Sequence, residues 1–384
     1  MEELAFLENA SASFVDLEMS GPPANPLPFG RATTGRAERV DAMVLNPVTG
    51  EHLEVSNIIY ERHPDRRPPD RAYWVGRKLK KCIFGVVKEC TLLRFRNDAL
   101  VPWEVTSGKA AVKIMSWQKI RELQHIEDPI KEVSAMQYIS EGGQHPHVMG
   151  VLDVLKDEEY LLLFMPFCSS GDLFGFVQQA GRFPEPMARY WFMQILAGLT
   201  HLQKKGVCHR DMSLENILVD EYRTAVVIDL GMCLRVPYDD GETGGVADVT
   251  AGTLRRLINP LIPCGKPNYI SPEVLKSEVP FDGFAIDLWA TAVMLFIMLV
   301  GLPPWEFARE EDPRFRMVAR GGLERMLRSW NREISPLAAD LLQKMLREDP
   351  RQRLSLEEVK VHPWVLYEGG GTVPQAPGHE EWRG

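Results

Sequence analysis

Three oxygen-bearing side chains stand close together in the middle of the chain. Asp211 and Asn216 lie in His209-Arg210-Asp211-Met212-Ser213-Leu214-Glu215-Asn216, and Asp229 lies in Val226-Val227-Ile228-Asp229-Leu230-Gly231. A carboxylate can orient a hydroxyl group and take its proton. One amide oxygen with one carboxylate suits a hard cation such as magnesium, which takes few protein ligands and keeps its waters. Upstream, Lys113 ends Ala111-Val112-Lys113 in a β-type run, and Glu132 follows 19 residues later in a helical pattern. By itself a His-Arg-Asp tripeptide or an Asp-Leu-Gly turn is more often a surface loop. An isolated Lys–Glu pair is ordinarily a surface salt bridge of ~0–1 kcal/mol. The ordered set carries the signal: Ser271-Pro272-Glu273, Asp287-Leu288-Trp289, Arg353 and His362-Pro363-Trp364 follow in sequence.

The elements that must hold these residues change character along the chain. Short β-type runs occupy 84–88, 110–115, 148–154 and 160–167, interrupted by one helical pattern with Ile130, Val133, Met136 and Ile139 on a face. From Asp172 onward helical patterns dominate, over 172–179, 184–205, 284–300, 321–330, 335–346 and 355–362. Strands first and helices second predict an α+β fold in two lobes. Residues 1 to about 70 contain eight prolines and a mixed-charge run from Arg62 to Arg71, and are expected to be largely flexible, with a short ordered piece around 53–60. The Gly/Pro-rich end, 368–384, is expected to be a tail.

Composition narrows the class. The 384 residues are 45% hydrophobic and 25% charged, the balance of a globular chain. A net charge of −9 argues against a general nucleic-acid coat. Six scattered cysteines with no C-x-x-C pair are expected to be reduced thiols, in a cytoplasmic or nuclear setting. No apolar run near the amino terminus resembles a secretory segment, and the 15-residue stretch 288–302 is short for a spanning helix, so a buried core helix is expected there.

The motif set resembles the eukaryotic protein kinase superfamily over residues 73–366, with a strand-rich N-lobe at about 73–165 and a helical C-lobe at about 169–366. The resemblance implies Asp211 as catalytic base, Asn216 and Asp229 as ligands of Mg2+, and Lys113, paired with Glu132, on the phosphates of ATP. It also implies that backbone groups of Pro166 and Cys168 hold the adenine edge, with Leu79, Gly85, Val87, Ala111 and Leu218 around the nucleotide. For Val87, Ala111 and Leu218, plain core packing is an equally good account. Glu273 and Arg353 would form an ion pair within the helical lobe. In motif style the chain is nearest to calcium/calmodulin-dependent and cyclic-nucleotide-type kinases, which implies a serine/threonine kinase acting as a monomer on protein substrates. Asp172 and Glu215 stand where such kinases place carboxylates against a basic substrate, although two solvated acids is the competing account.

The chain departs from the pattern at three places. The glycine-rich loop becomes Leu79-Lys80-Lys81-Cys82-Ile83-Phe84-Gly85-Val86-Val87 and keeps only its third glycine, which predicts weaker or differently posed ATP. Ser213 replaces a lysine of the family, while Lys266 occupies a position where a threonine is usual. The two are expected to face each other, with Lys266 supplying charge from the opposite wall of the site. The segment 229–273 is long and acidic, and its usual phosphoacceptor place is Ile262, leaving Thr250 and Thr253 as the nearest hydroxyls. An ATP- and Mg2+-dependent protein kinase is expected; a catalytically weak pseudokinase scaffold is the alternative.

Overall fold

A computed structural model describes residues 23–65, 67–69, 71–98, 100–123, 128–239 and 254–366. The tail expected at 368–384, Thr250 and Thr253 and the acidic residues Asp240, Glu242 and Asp248 lie outside the described residues. The chain divides into two compact units, a small one of Phe29–Ser170 with Asp220–Tyr222 and a large one made from the remainder.

The small unit holds β1 (Gly35–Leu45), β2 (His52–Glu61), β3 (Ala72–Cys82), β4 (Gly85–Phe95), β5 (Trp103–Ser116), α1 (Trp117–Leu123), α2 (Pro129–Ser140), β6 (Asp153–Lys156) and β7 (Tyr160–Pro166). The strands close into a barrel in the order β1-β2-β3-β4-β5-β7-β6. Strand β1 closes it by pairing antiparallel with β2 and parallel with β6, at Gly35↔Leu155 and Arg36↔Lys156. The closure is narrow between β2 and β3, where only residues 72–74 pair with residues 58–60. One core cluster packs Tyr73, Cys90, Val112 and Phe164, and a second packs Val44, Ile58, Leu93 and Trp103.

Strands β1 and β2 correct the expectation of a largely flexible amino-terminal extension: the small unit begins at Phe29, not near residue 73. A bulge conceals the strands in the sequence. The β1–β2 register shifts between Val40 and Ala42, opposite Asn57, whose φ of 61° is left-handed and whose N–H is accepted by Asp41 Oδ1 at 3.0 Å. An extra residue in one strand breaks the alternation by which a strand is read. The run expected at 148–154 is a strand only from Asp153.

The large unit contains α3 (Leu173–Ala180), α4 (Glu185–Lys204), β8 (Val207–Cys208), β9 (Ile217–Val219), β10 (Ala225–Val227), β11 (Leu234–Arg235), β12 (Tyr238–Asp239), β13 (Leu254–Arg255), α5 (Pro272–Lys276), α6 (Gly283–Val300), α7 (Pro313–Ala319), α8 (Leu323–Ser329), α9 (Pro336–Met345), α10 (Leu356–Lys360) and α11 (Pro363–Leu366). Its strands pair only in twos, β8 with β11, β9 with β10 and β12 with β13. Helix α6 is the axis of the core. All 18 of its residues are buried, so this helix, apolar and long enough to cross a membrane, is the core helix expected from the sequence.

Behind α6, the Arg353 side chain is fully buried and gives two bonds to Glu273, at 2.8 and 3.1 Å, and one to the Ala285 carbonyl at 2.8 Å. Its guanidinium also lies 4.9 Å from the centre of the Trp289 ring. A buried ion pair owes its stability to such complete bonding, and removing one partner strands the other charge. Arg353→Met should therefore lower the unfolding free energy of the large unit by about 3–5 kcal/mol in urea titration; a change below about 1 kcal/mol would contradict this account.

Candidate active site

In the small unit, sheet register places the lysine. Val87 pairs with Lys113 and Ala111 with Met165, so Val87, Ala111 and Lys113 share the outer face of the barrel wall, while Val112 and Phe164 point into the core. Helix α2 starts at Pro129, capped by Asp128, which accepts from the N–H groups of Ile130 (2.9 Å) and Lys131 (3.1 Å). That start puts Glu132 in the first turn, where its Oε2 meets Lys113 Nζ at 2.6 Å. Both side chains are largely buried, 18% and 10% exposed, which distinguishes the pair from an ordinary surface salt bridge.

The turn that replaces the glycine-rich loop is tight. Strands β3 and β4 pair to Cys82↔Gly85, leaving Ile83 and Phe84 as the turn, with Phe84 buried. A Cβ on Gly85 would lie 1.9 Å from the Ile114 carbonyl oxygen, so packing alone demands glycine there. Leu79 is exposed near the end of β3, and Pro166 ends β7. Burial, reinforced by Asp220, pushes the Cys168 thiol up to about 12, so it stays protonated.

In the large unit, one buried carboxylate organises the loop after β8. Asp287, on α6, accepts the N–H of His209 at 2.6 Å and of Arg210 at 2.9 Å. His209 Nε2 donates to the Ile228 carbonyl (2.9 Å), which leaves Nδ1 to accept the N–H of Asp211 at 3.2 Å. Asn216 Nδ2 then donates to both the Asp211 carbonyl (2.8 Å) and Asp211 Oδ2 (2.9 Å). The other oxygen, Oδ1, is buried with no hydrogen-bond partner among the described residues and lies close to Gly265, where a Cβ would stand 3.0 Å away.

The β9–β10 hairpin brings Asp229 beside Asn216: Val227 pairs with Ile217, and the Ile228 N–H continues the ladder to the Asn216 carbonyl at 2.9 Å. Asp229 is exposed at a left-handed φ of 68°, its Oδ1 accepting the Gly231 N–H at 3.3 Å. Leu218 is half-buried on β9, in a bridge with Asp172. Asp172 itself caps α3, accepting from the Gly175 N–H at 2.8 Å.

Lys266 and Ser213 meet: Nζ donates to the buried Ser213 Oγ at 2.8 Å and lies 4.0 Å from Glu215. Asp211, Gly265, Lys266 and Tyr269 line one pocket. Tyr269 donates weakly to Glu215 at 3.5 Å, and its phenol is pushed above the usual range by burial and then by that carboxylate. Arg210 turns its guanidinium to the carbonyls of Ile262 (3.1 Å) and Met232 (3.5 Å).

The protein kinase domain family model matches residues 103–365, from the start of β5 almost to the end of α11. The chain belongs to the protein kinase family. Serine/threonine-protein kinase DCLK3 of Homo sapiens is 30% identical over 298 residues, which span 77% of this chain and 40% of that protein. Calcium-dependent protein kinase SK5 of Glycine max is 32% identical over 297 residues, 77% of this chain and 51% of that protein. The Mus musculus DCLK3 protein matches at 30% over 33% of its length, so this kinase-family chain spans between a third and about half of these relatives.

Kinase membership implies ATP and a divalent metal in general, and the residues of the large unit suit one cation. Both hydrogens of Asn216 Nδ2 go to Asp211, leaving its Oδ1 as a donor atom, and the exposed Asp229 supplies a carboxylate. Two such ligands with retained waters suit a hard divalent cation. Among the described residues no cluster of three or more His, Cys, Asp or Glu could hold a metal by itself.

Sequence reasoning placed Asp287 only at the head of an apolar helix and missed its part in holding the loop. The available signal was an acid followed directly by an apolar run, which must find donors when buried. Burial pushes the Asp287 carboxyl up to about 6, against the pull of His209 and the two N–H groups. The native state thus binds this proton more tightly than the unfolded chain. Its contribution to stability is complete below the ordinary value of 3.8 and is lost as pH rises to about 6, a change of about 3 kcal/mol. Urea titrations between pH 4 and 7 should show that falling limb in the native protein and its absence in Asp287→Asn; identical pH slopes would refute it.

Proposed function

We propose that this chain is a serine/threonine protein kinase that uses ATP and Mg2+ to phosphorylate hydroxyls of protein substrates in basic sequence context. The observation that carries the reading is the asymmetry of Asp211. Its Oδ2 is held by Asn216 at 2.9 Å, while Oδ1 has no hydrogen-bond partner among the described residues. An oriented carboxylate with one oxygen free of hydrogen bonds is what a base needs to accept the hydroxyl proton. The hydroxyl oxygen bonds to the γ-phosphorus, the bond from that phosphorus to the bridging oxygen breaks, and ADP leaves with the electron pair.

The remaining roles follow unit by unit. Lys113, oriented by Glu132, would hold the α- and β-phosphates. Leu79, Val87, Ala111 and Leu218 would pack against the adenine, with backbone groups of Pro166 and Cys168 at its edge. Asn216 and Asp229 would hold Mg2+, which supplies charge that offsets the phosphates. Lys266, held by Ser213, would supply a further positive charge at the transferring group.

Asp172 and Glu215 would face basic residues of the substrate, in keeping with the net charge of −9. One oxygen of Asp172 is committed to capping α3, and Glu215 is shared with Tyr269 and Lys266. The basic preference therefore rests on the rest of those carboxylates. We further take the chain to act as a cytoplasmic monomer, a setting that suits its six free cysteines.

Transfer from Mg2+-ATP to an arrayed library of basic peptides tests the reading. Asp211→Asn should lower kcat by about 10²–10⁴-fold while Mg2+-ATP still raises the melting temperature. A native chain that binds Mg2+-ATP without transferring phosphate would instead be a binding scaffold. Lys266→Ala should lower kcat on the order of 10²-fold with little change in the KM for ATP; activity close to that of the native chain would remove Lys266 from the mechanism.

A further inference from the structure

Residues 23–28, Pro-Ala-Asn-Pro-Leu-Pro, lie along the large unit and pair with the segment that leads from the Asp229 turn to the Lys266 loop. Ala24 donates its N–H to the Leu257 carbonyl at 2.9 Å and accepts the Asn259 N–H at 3.0 Å. Leu27 donates to the Arg235 carbonyl at 2.9 Å, and Arg235 Nη1 returns a bond to the Pro28 carbonyl at 3.1 Å. Asn259 Nδ2 bonds Asn25 Oδ1 at 2.9 Å. The bridges are parallel at Ala24↔Ile258 and antiparallel at Leu27↔Arg235. Six residues thus join two places 22 apart in sequence, Arg235 and Leu257.

The composition of this stretch suits that task. Three of its six residues are prolines, so only Ala24, Asn25 and Leu27 carry a backbone N–H, and two of those three donate into the segment. Asn25 and Leu27 each precede a proline, which biases them towards extended backbone before any pairing occurs. A pre-extended strand loses little entropy on adding to an exposed edge.

The ends it holds lead directly to the site. Arg235 is in β11, which pairs with β8 immediately before His209. Past Asn259 the chain reaches Ile262, whose carbonyl takes Arg210, and then Lys266. Besides residues 23–28, the described parts of this segment are held by Tyr238↔Arg255 and Asp239↔Leu254 in β12–β13, the Arg256 N–H to the Pro237 carbonyl, the two bonds between Ile258 and Phe281 at 2.8 and 3.0 Å, and the Arg255–Asp282 ion pair at 2.6 Å.

We propose that residues 23–28 are an intramolecular activating strap, whose pairing with Arg235 and with 257–259 holds this segment in the register that sets Lys266 beside Ser213. The activating role rests on the kinase reading; the strap itself does not. The surface it occupies is a backbone edge that accepts a proline-rich extended peptide, supplied by the chain's own amino-terminal part.

The full-length double variant Ala24→Pro with Leu27→Pro removes both N–H donors and no side chain of the site. It should raise amide exchange at Arg256 and Asn259 by roughly tenfold, the scale of two backbone hydrogen bonds, with barrel amides such as Val112 unchanged. Peptide phosphorylation should fall by a similar factor, and Leu27→Val, which keeps the donor, should behave as the native chain. Unchanged exchange at Arg256 and Asn259 would overturn the strap. Raised exchange with an undiminished transfer rate would overturn its activating role. Absence of transfer by the native chain would refute the kinase reading and with it the activating role, leaving the exchange result to decide the strap.

Discussion

The loop that carries Asp211 depends on a single carboxylate buried beneath it. Asp287 is buried, and its ionised form is tolerated because two successive N–H groups, from His209 and Arg210, point at it. Those bonds also hold Arg210 at a φ of 66°, a left-handed conformation that disfavours a residue with a side chain by on the order of 1–3 kcal/mol. Backbone strain of that size persists only when the surroundings over-determine it. Here the helix fixes the carboxylate, the carboxylate fixes two amides, and the imidazole of His209 fixes the next amide, that of Asp211. Asp211 is thus two hydrogen bonds removed, through His209, from helix α6, whose residues are all buried.

The same economy of charge explains why the departures from the family pattern do not read as damage. Ser213 and Lys266 sit within 2.8 Å of one another. The proposed exchange of a cation and a hydroxyl needs such a contact, and Lys266 and Asp211 line one pocket. An ammonium on a flexible stem carries its charge wherever its tip is held, and here a buried hydroxyl holds it. Gly85 shows the converse. The glycine survives, but the close approach of Ile114 accounts for it without reference to any ligand. Residue identity and role therefore separate at both positions, in opposite directions.

The sequence made the helical half legible because its signals are chemical and local. His209 to Asn216, the Asp229 turn and Arg353 each keep a spacing that few other arrangements would need, and α6 announces itself as an unbroken apolar run. The Lys113–Glu132 pair could be read because a strand and a helix of ordinary pattern present the two residues. The amino-terminal strands could not. Their alternation is shifted by the bulge at Asn57, and the prolines and charges around them lower the apparent apolar content. The role of Asp287 lies between these cases: the acid is visible, but its partners are backbone amides, which every residue has.

Backbone pairing is also why residues 23–28 carry no motif. Ala24 and Leu27 bond the segment through their N–H and carbonyl groups, not through their alkyl side chains. What the sequence can encode is the readiness of the backbone to be straight, and the prolines at 23, 26 and 28 encode that. Proline removes donors, so a proline-rich strand can pair only where its few remaining N–H groups fall. The spacing of Ala24 and Leu27 therefore selects the register as surely as a side chain would. Arg210, turned towards the carbonyl of Ile262, meets a neutral acceptor there. A neutral acceptor binds a guanidinium less strongly than an anion does.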